Sequence, residues 1–169
     1  MADEMCNFTS LAMCLQYLGV PKPKNVTPPP GATVDSMQYE DALFQRWMDL
    51  GKPGGNITRA SAWKALCTDL GRTGDYEAFD GKKTSWETMV HDQYLGKGYG
   101  VMLGGFGHVV RVQAVNDTGV VVDDPFGKST GPKKSWSESN KTEAGSEAGN
   151  DAQWTWPNQK SGMYIFHVK

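Results

Sequence analysis

The hydrophobic pattern of this chain changes period once, near Gly96-Lys97-Gly98, and that change restricts the fold more than any other feature. Before it, apolar residues recur at intervals of three and four. From Cys6 to Gly19, the residues Phe8, Leu11, Ala12, Leu15 and Leu18 fall on one helical stripe, and Gly19 supplies a stop. The polar side is so thin that this helix is expected to be buried nearly all round. A proline-bearing stretch from Val20 to Thr33 should be an extended connection. A second helix is expected from Ser36 to Leu50, with Tyr39, Leu43, Trp47 and Leu50 on one face, broken by Gly51 to Asn56. A third begins at Thr58 or Arg59 and carries Trp63, Leu66, Cys67 and Leu70 before Gly71. Ser85 should cap a short helix from Trp86 to Leu95, where Glu87 suits the positive end of the helix dipole.

After the glycines the pattern becomes that of strands. Tyr99 to Leu103, His108 to Val115 and Gly119 to Asp123 are short, valine-rich and separated by Gly or Asn-Asp. Asn116-Asp117-Thr118-Gly119 reads as the hairpin turn between the last two. Met163 to Val168 is the final strand. Between them, a polar stretch at 128–161 containing Trp136, Trp154 and Trp156 reads as an insertion or long loop. Those rings would either pin the loop to the core or line a substrate surface. Helices first and an antiparallel sheet afterwards indicate an α+β fold in a single domain over residues 1–169.

Composition removes several function classes. Lys+Arg total 17 and Asp+Glu total 19, a formal net charge of -2, so nothing in the charge balance calls for nucleic acid. The doublets Lys82-Lys83 and Lys133-Lys134 lie in polar stretches, as solvated loops do. No run of 18 apolar residues offers a membrane span. The amino terminus shows no basic segment leading into an apolar run, so no secretory signal is expected. The spacing of the three cysteines, Cys6, Cys14 and Cys67, matches no common zinc pattern and leaves at least one thiol free within a monomer. Neither a metal nor an organic cofactor is required.

Cys6 stands where the first helix begins. Amide groups and the dipole at a helix start favour a thiolate, which is the nucleophilic form. Cys14 and Cys67 fall on or near apolar faces, as small buried hydrophobes do. Among the three histidines, His91 sits beside Asp92 in a helical segment and reads as a surface group. His167 reads as structural or exposed. His108 follows Gly104-Gly105-Phe106-Gly107 and opens the run Val109-Val110-Arg111-Val112, where glycines permit close approach by a substrate. The hairpin would bring Asp123-Asp124-Pro125 beside the strand that carries His108. Because neighbouring side chains in a strand face opposite ways, one of the two acids should orient the imidazole. Alternatively, the carboxylate caps the turn before Pro125. Metal binding by the two acids and His108 lacks a third ligand that spacing can nominate.

Cys6-Asn7-Phe8-Thr9-Ser10-Leu11-Ala12-Met13, then Gly107-His108-Val109-Val110, then Asp124-Pro125-Phe126-Gly127 resembles the C39-like branch of the papain-like cysteine peptidases. Such proteins carry a Cys-Asn-x-Thr-Ser-x-Ala-Met helix start, a Gly-His strand and an Asp-Pro-aromatic-Gly turn. The resemblance covers positions 6 to 127, with a weaker fit of the last strand. It implies a papain-like fold, with Cys6 as nucleophile, His108 as general base and acid, and Asp124 as its orienter. Asp124 is preferred to Asp123 because it directly precedes the proline. Members of the group usually carry a side-chain amide several residues before the cysteine, as part of the oxyanion hole. Met1-Ala2-Asp3-Glu4-Met5 offers none, so Asn7 becomes the side-chain candidate, beside the Cys6 backbone amide. An unusual oxyanion site or further residues upstream would account for the difference.

The implied activity is a cysteine peptidase or amidase that cuts through a thioester intermediate. The substrate expected from the resemblance is a peptide, foremost bacterial peptidoglycan. A phage lytic enzyme (endolysin) or a bacterial secretion-system effector would be made in the cytoplasm and act at the cell wall or periplasm. A protein inhibitor or immunity protein is the further partner to consider. A protein-directed peptidase, other acyl-transfer or amidase chemistry, and a catalytically weak papain-like binding module are the alternatives.

Overall fold

Three of the expected helix stops work through one backbone device. Helices α1 (Cys6–Tyr17), α2 (Tyr39–Asp49) and α3 (Ala60–Asp69) are followed by Gly19, Gly51 and Gly71, whose φ angles are 71°, 76° and 72°. The next residue's amide then reaches back over the last turn: Val20 to Leu15 at 2.9 Å, Lys52 to Trp47 at 2.9 Å, Arg72 to Cys67 at 2.7 Å. This is the Schellman arrangement, and the left-handed residue within it suits glycine because no Cβ clashes. Each chain reversal is thereby fixed within two residues of the helix end.

The structure, a computed structural model, describes residues 5–105, 107–129, 141–143, 149–156 and 162–169. Its strands are β1 (Gly74–Phe79), β2 (Gly100–Gly105), β3 (His108–Asn116), β4 (Gly119–Asp123), β5 (Lys128–Ser129), β6 (Lys141–Glu143), β7 (Ala152–Thr155) and β8 (Met163–Val168). Six form an antiparallel sheet in the order β1-β8-β2-β3-β4-β7, and β5 pairs with β6 separately. The α+β expectation holds, with helices leading and an antiparallel sheet dominating the second half.

Both faces of the sheet are covered, which explains why its central strands are so continuously apolar. Val109, Met102, Phe166 and Val168 pack with Phe8, Leu11, Leu15, Leu43, Trp63 and Leu66 of α1 to α3. On the other face, Val101, Leu103, Val110, Val112, Val120, Val122 and Ile165 pack with Trp86, Val90 and Trp154. Each of these side chains contributes about 1.5–3 kcal/mol on full burial. α1 lies directly on the sheet centre. A Cβ on Gly100 would come within 2.8 Å of Cys14 Cβ, so the glycine permits that close approach. Ser10 Oγ donates to the Val109 carbonyl at 3.0 Å and ties the helix to β3.

Two expectations are corrected. The helix after Ser85 begins earlier, at the single turn α4 (Lys83–Ser85), and continues as a wider π-helical segment, Trp86–Tyr94. Lys82 is already the extended residue before it and accepts the Trp86 amide at 3.0 Å, so Ser85 lies inside the run and makes no cap. The stretch read as a polar loop contains β7, whose Ala152 and Trp154 point inward while Gln153 and Thr155 stay exposed. Trp154 belongs to the core, and Trp156 lies beneath the Lys83 ammonium at 4.9 Å from its ring centre. Trp136 and Lys133-Lys134 lie outside the described residues. β1 was not expected either: of its six residues only Gly74 and Phe79 are buried, as befits an edge strand. Among the described residues, no helix is long and apolar enough to cross a membrane.

Candidate active site

Cys6 opens α1 and is 4% exposed, with Met5 before it and no side-chain cap. Its Sγ stands 3.8 Å from Asn7 Oδ1 and against the backbone of Val109, the residue after His108. Burial pushes the Cys6 thiol up to about 11; the backbone of Val109, Asn7 and Cys6 pulls the other way, and the Asp124 charge adds to the rise. The expected helix-start stabilisation of a thiolate therefore acts, but desolvation outweighs it in the resting protein. Any nucleophilic use of Cys6 requires a base close by.

His108 begins β3, and its Nε2 lies 2.7 Å from Asp124 Oδ1, with both side chains almost wholly buried. The same Asp124 oxygen accepts the Phe126 amide at 2.9 Å, and the Asp124 carbonyl accepts that of Gly127 at 3.1 Å. This aspartate therefore both caps its turn and holds the ring, the two roles that sequence reasoning set against each other. Phe126 completes the arrangement by stacking on His108, ring centres 4.3 Å apart at 26°. An imidazole that donates from Nε2 carries its basic lone pair on Nδ1.

A bulge determines which acid takes this place. The hairpin pairs Asn116 with Gly119 and Ala114 with Val121, then shifts so that Val112 pairs with Val122 and Arg111 with Asp123. Gln113 is the extra residue. Past the end of β4, that shifted register sets Asp124 and Phe126 on the face of His108, and Asp123 on the opposite face with Arg111. Asp123 Oδ2 accepts from Arg111 at 2.8 Å, and its other oxygen accepts from Gln113. The two acids serve different partners.

Asn7 is buried beside Cys6, and the amide oxygen is the atom of its side chain toward Sγ. Cys14 and Cys67 are fully buried, their thiols pushed up to about 12 by desolvation, and Cys14 Sγ donates to the Val101 carbonyl at 3.5 Å. His91 is exposed and pairs with Asp92 at 2.7 Å. His167 stacks on Tyr94 at 4.2 Å, and burial lowers its pKa.

Tyr164 was not singled out by the sequence. Its ring lies across Gly104, where a Cβ would stand 2.1 Å from Cζ, and Gly104 pairs with Val109. Burial and the neighbouring Cys6 push its hydroxyl up to about 12. The ring also borders a groove of about 820 Å³ that runs to the start of α3 past Tyr76 and Ala78. The only sequence signal was the glycine pair of β2, which leaves room for a ring from a neighbouring strand.

A family model described as the Peptidase_C39 like family matches residues 1–155. No curated protein and no solved structure matches the chain.

Proposed function

The chain belongs to the Peptidase_C39 like family, and from that premise we propose that Cys6, His108 and Asp124 form a hydrolytic triad acting on peptide or amide bonds. The observation that carries this reading is the buried 2.7 Å contact of His108 with Asp124, next to the Val109 backbone on which Cys6 rests. His108 Nδ1 takes the proton from Cys6 as Sγ adds to the scissile carbonyl. The imidazolium then protonates the departing amine, leaving a thioester on Cys6. Water, losing its proton to the same ring nitrogen, attacks the thioester and releases the acid. Asp124 keeps the ring in one tautomer and stabilises its charged form.

The Cys6 amide at the helix start is the backbone donor we assign to the developing oxyanion. Asn7 is the side-chain candidate, and it serves only if its amide nitrogen turns toward the carbonyl. As substrate we propose the peptide part of bacterial peptidoglycan, which places the action at the cell wall. Wild type and Cys6→Ala, incubated with purified peptidoglycan and with casein, would be compared by mass spectrometry for new termini. Products from wild type alone support the triad. Equal products from both remove Cys6 as nucleophile, and products from casein alone make the protein a protein-directed peptidase. A binding role with little turnover is favoured by one observation, the raised Cys6 thiol. That reading gains if neither substrate is cut while wild type still sediments with the wall.

A further inference from the structure

Tyr164 links the groove to the proposed nucleophile: its ring borders the groove, and its hydroxyl lies close enough to Cys6 for their charges to interact. Ala78, Tyr164, Gly104 and Val109 are aligned across four adjacent strands, on the face that carries α1. Tyr164 bridges Gly104 toward Val109, against which Cys6 sits. An extended peptide leaving Cys6 over Tyr164 therefore passes Ala78 and Tyr76 and reaches the start of α3. Strands lie about 4.8 Å apart and an extended chain advances about 3.3 Å per residue, so three strand spacings match roughly four residues.

The far end of that path is cationic. Arg59 and Lys64 both line it. Lys64 is already matched by Asp75 at 2.9 Å. Arg59 makes no ion pair among the described residues. Glu77 lies on β1 between Tyr76 and Ala78 and so faces away from the groove. Among the described residues, one guanidinium without an ion pair thus borders, beside the matched Lys64, a cleft whose other walls are apolar or small: Tyr76, Tyr164, Met163, alanines, and the hydroxyl-bearing Thr58 and Ser61.

Resting on the peptidase reading above, we propose that this groove holds the substrate segment flanking the scissile bond and that Arg59 pairs with a carboxylate several residues from it. The substrate class is an acidic peptide with small or apolar residues between its carboxylate and the cut. Guanidinium suits this task because its planar fork matches a carboxylate in two parallel hydrogen bonds.

The test uses the full chain carrying Cys6→Ala, so that binding is read without turnover. The probes are rhodamine-labelled decapeptides of alanine, glycine and leucine bearing one Glu, Gln or Lys at each position in turn. We expect Glu to bind about three- to five-fold tighter than Gln at one position, with the preference fading in 0.5 M salt. Adding Arg59→Glu, an exposed change, should reverse the preference toward Lys. No binding, no preference for Glu, or a preference that survives Arg59→Glu overturns the assignment. Turnover of the same peptides by the Cys6 form is measured separately. Turnover without charge preference removes the groove and leaves the peptidase; charge-dependent binding without turnover does the reverse.

Discussion

His108 and Phe126 lie face to face, their ring centres 4.3 Å apart, although nothing in their sequence spacing pairs them. The stack covers the imidazole from the side and leaves Asp124 to hold its edge. Phe126→Leu keeps the backbone amide that bonds Asp124 while it removes the stack. An aromatic pair contributes about 0.5–1.5 kcal/mol beyond its burial, and urea unfolding should show a loss of that size. The rate of Cys6 alkylation by iodoacetamide at neutral pH should fall several-fold, because a less fixed imidazole accepts the proton less well. An unchanged alkylation rate would mean that the stack plays no part in orienting the ring.

Asp124→Asn and Asp123→Asn should separate cleanly. The first leaves an amide that can present the wrong group to Nε2, and turnover should fall by about two orders of magnitude or more while the fold persists. The second weakens the contacts to Arg111 and Gln113, costs about 1–3 kcal/mol of stability, and should leave turnover within a few-fold of wild type. Kinetics and urea midpoints on the same two proteins decide it. The reverse pattern would transfer the orienting role to Asp123.

The three helices, their glycine stops and four of the six strands of the main sheet were legible because each rests on a periodic apolar pattern or a backbone requirement. β1 and β7 were not, since an edge strand needs few buried residues and its alternation sinks into the polar background. The short helix expected from Trp86 to Leu95 was found, but not its start or its π form: Trp86, Val90 and Tyr94 repeat every four residues, which suits both helix types. At the site, sequence alone nominated both acids, and only the resemblance preferred one. The Gln113 bulge settles their facing, and nothing in Val112-Gln113-Ala114 announces an extra residue. Tyr164 was hidden for a related reason, because its meeting with Gly104 depends on the register of strands far apart in sequence.

Gly104→Ala would test the link between groove and nucleophile. A Cβ there would meet Tyr164 Cζ at 2.1 Å and the hydroxyl at 2.3 Å, so the ring must swing away. Overpacking of this kind costs about 1–3 kcal/mol. The His108–Asp124 contact is two strands from β8 and should survive, so iodoacetamide should still alkylate Cys6 at close to the wild-type rate. The preference among peptides should change. If it does not, Tyr164 is no part of the path a substrate takes.

Burial of the thiols predicts an alkaline limit to stability. In the folded chain Cys6 is raised to about 11, and Cys14 and Cys67 to about 12, from an ordinary value of 9.0. Each folded thiol therefore keeps its proton where the unfolded chain would release it. Their contribution is complete below about pH 9 and is lost as pH rises through 11 and 12, because the unfolded state then binds fewer protons. One such thiol steepens the decline by up to about 1.4 kcal/mol per pH unit within that window. Cys14→Ala should be less stable than wild type at pH 7, since it leaves a small cavity. Its decline above pH 9 should nevertheless be shallower, and urea midpoints measured from pH 7 to 11 report both effects. An equal slope would show that Cys14 reaches solvent before the chain unfolds. Cys6 differs in the role proposed for it: if His108 serves as its base, alkylation of Cys6 in His108→Ala should rise only as pH approaches 11, whereas wild type should react at neutral pH. Identical profiles would leave Cys6 a buried thiol and remove His108 as its base.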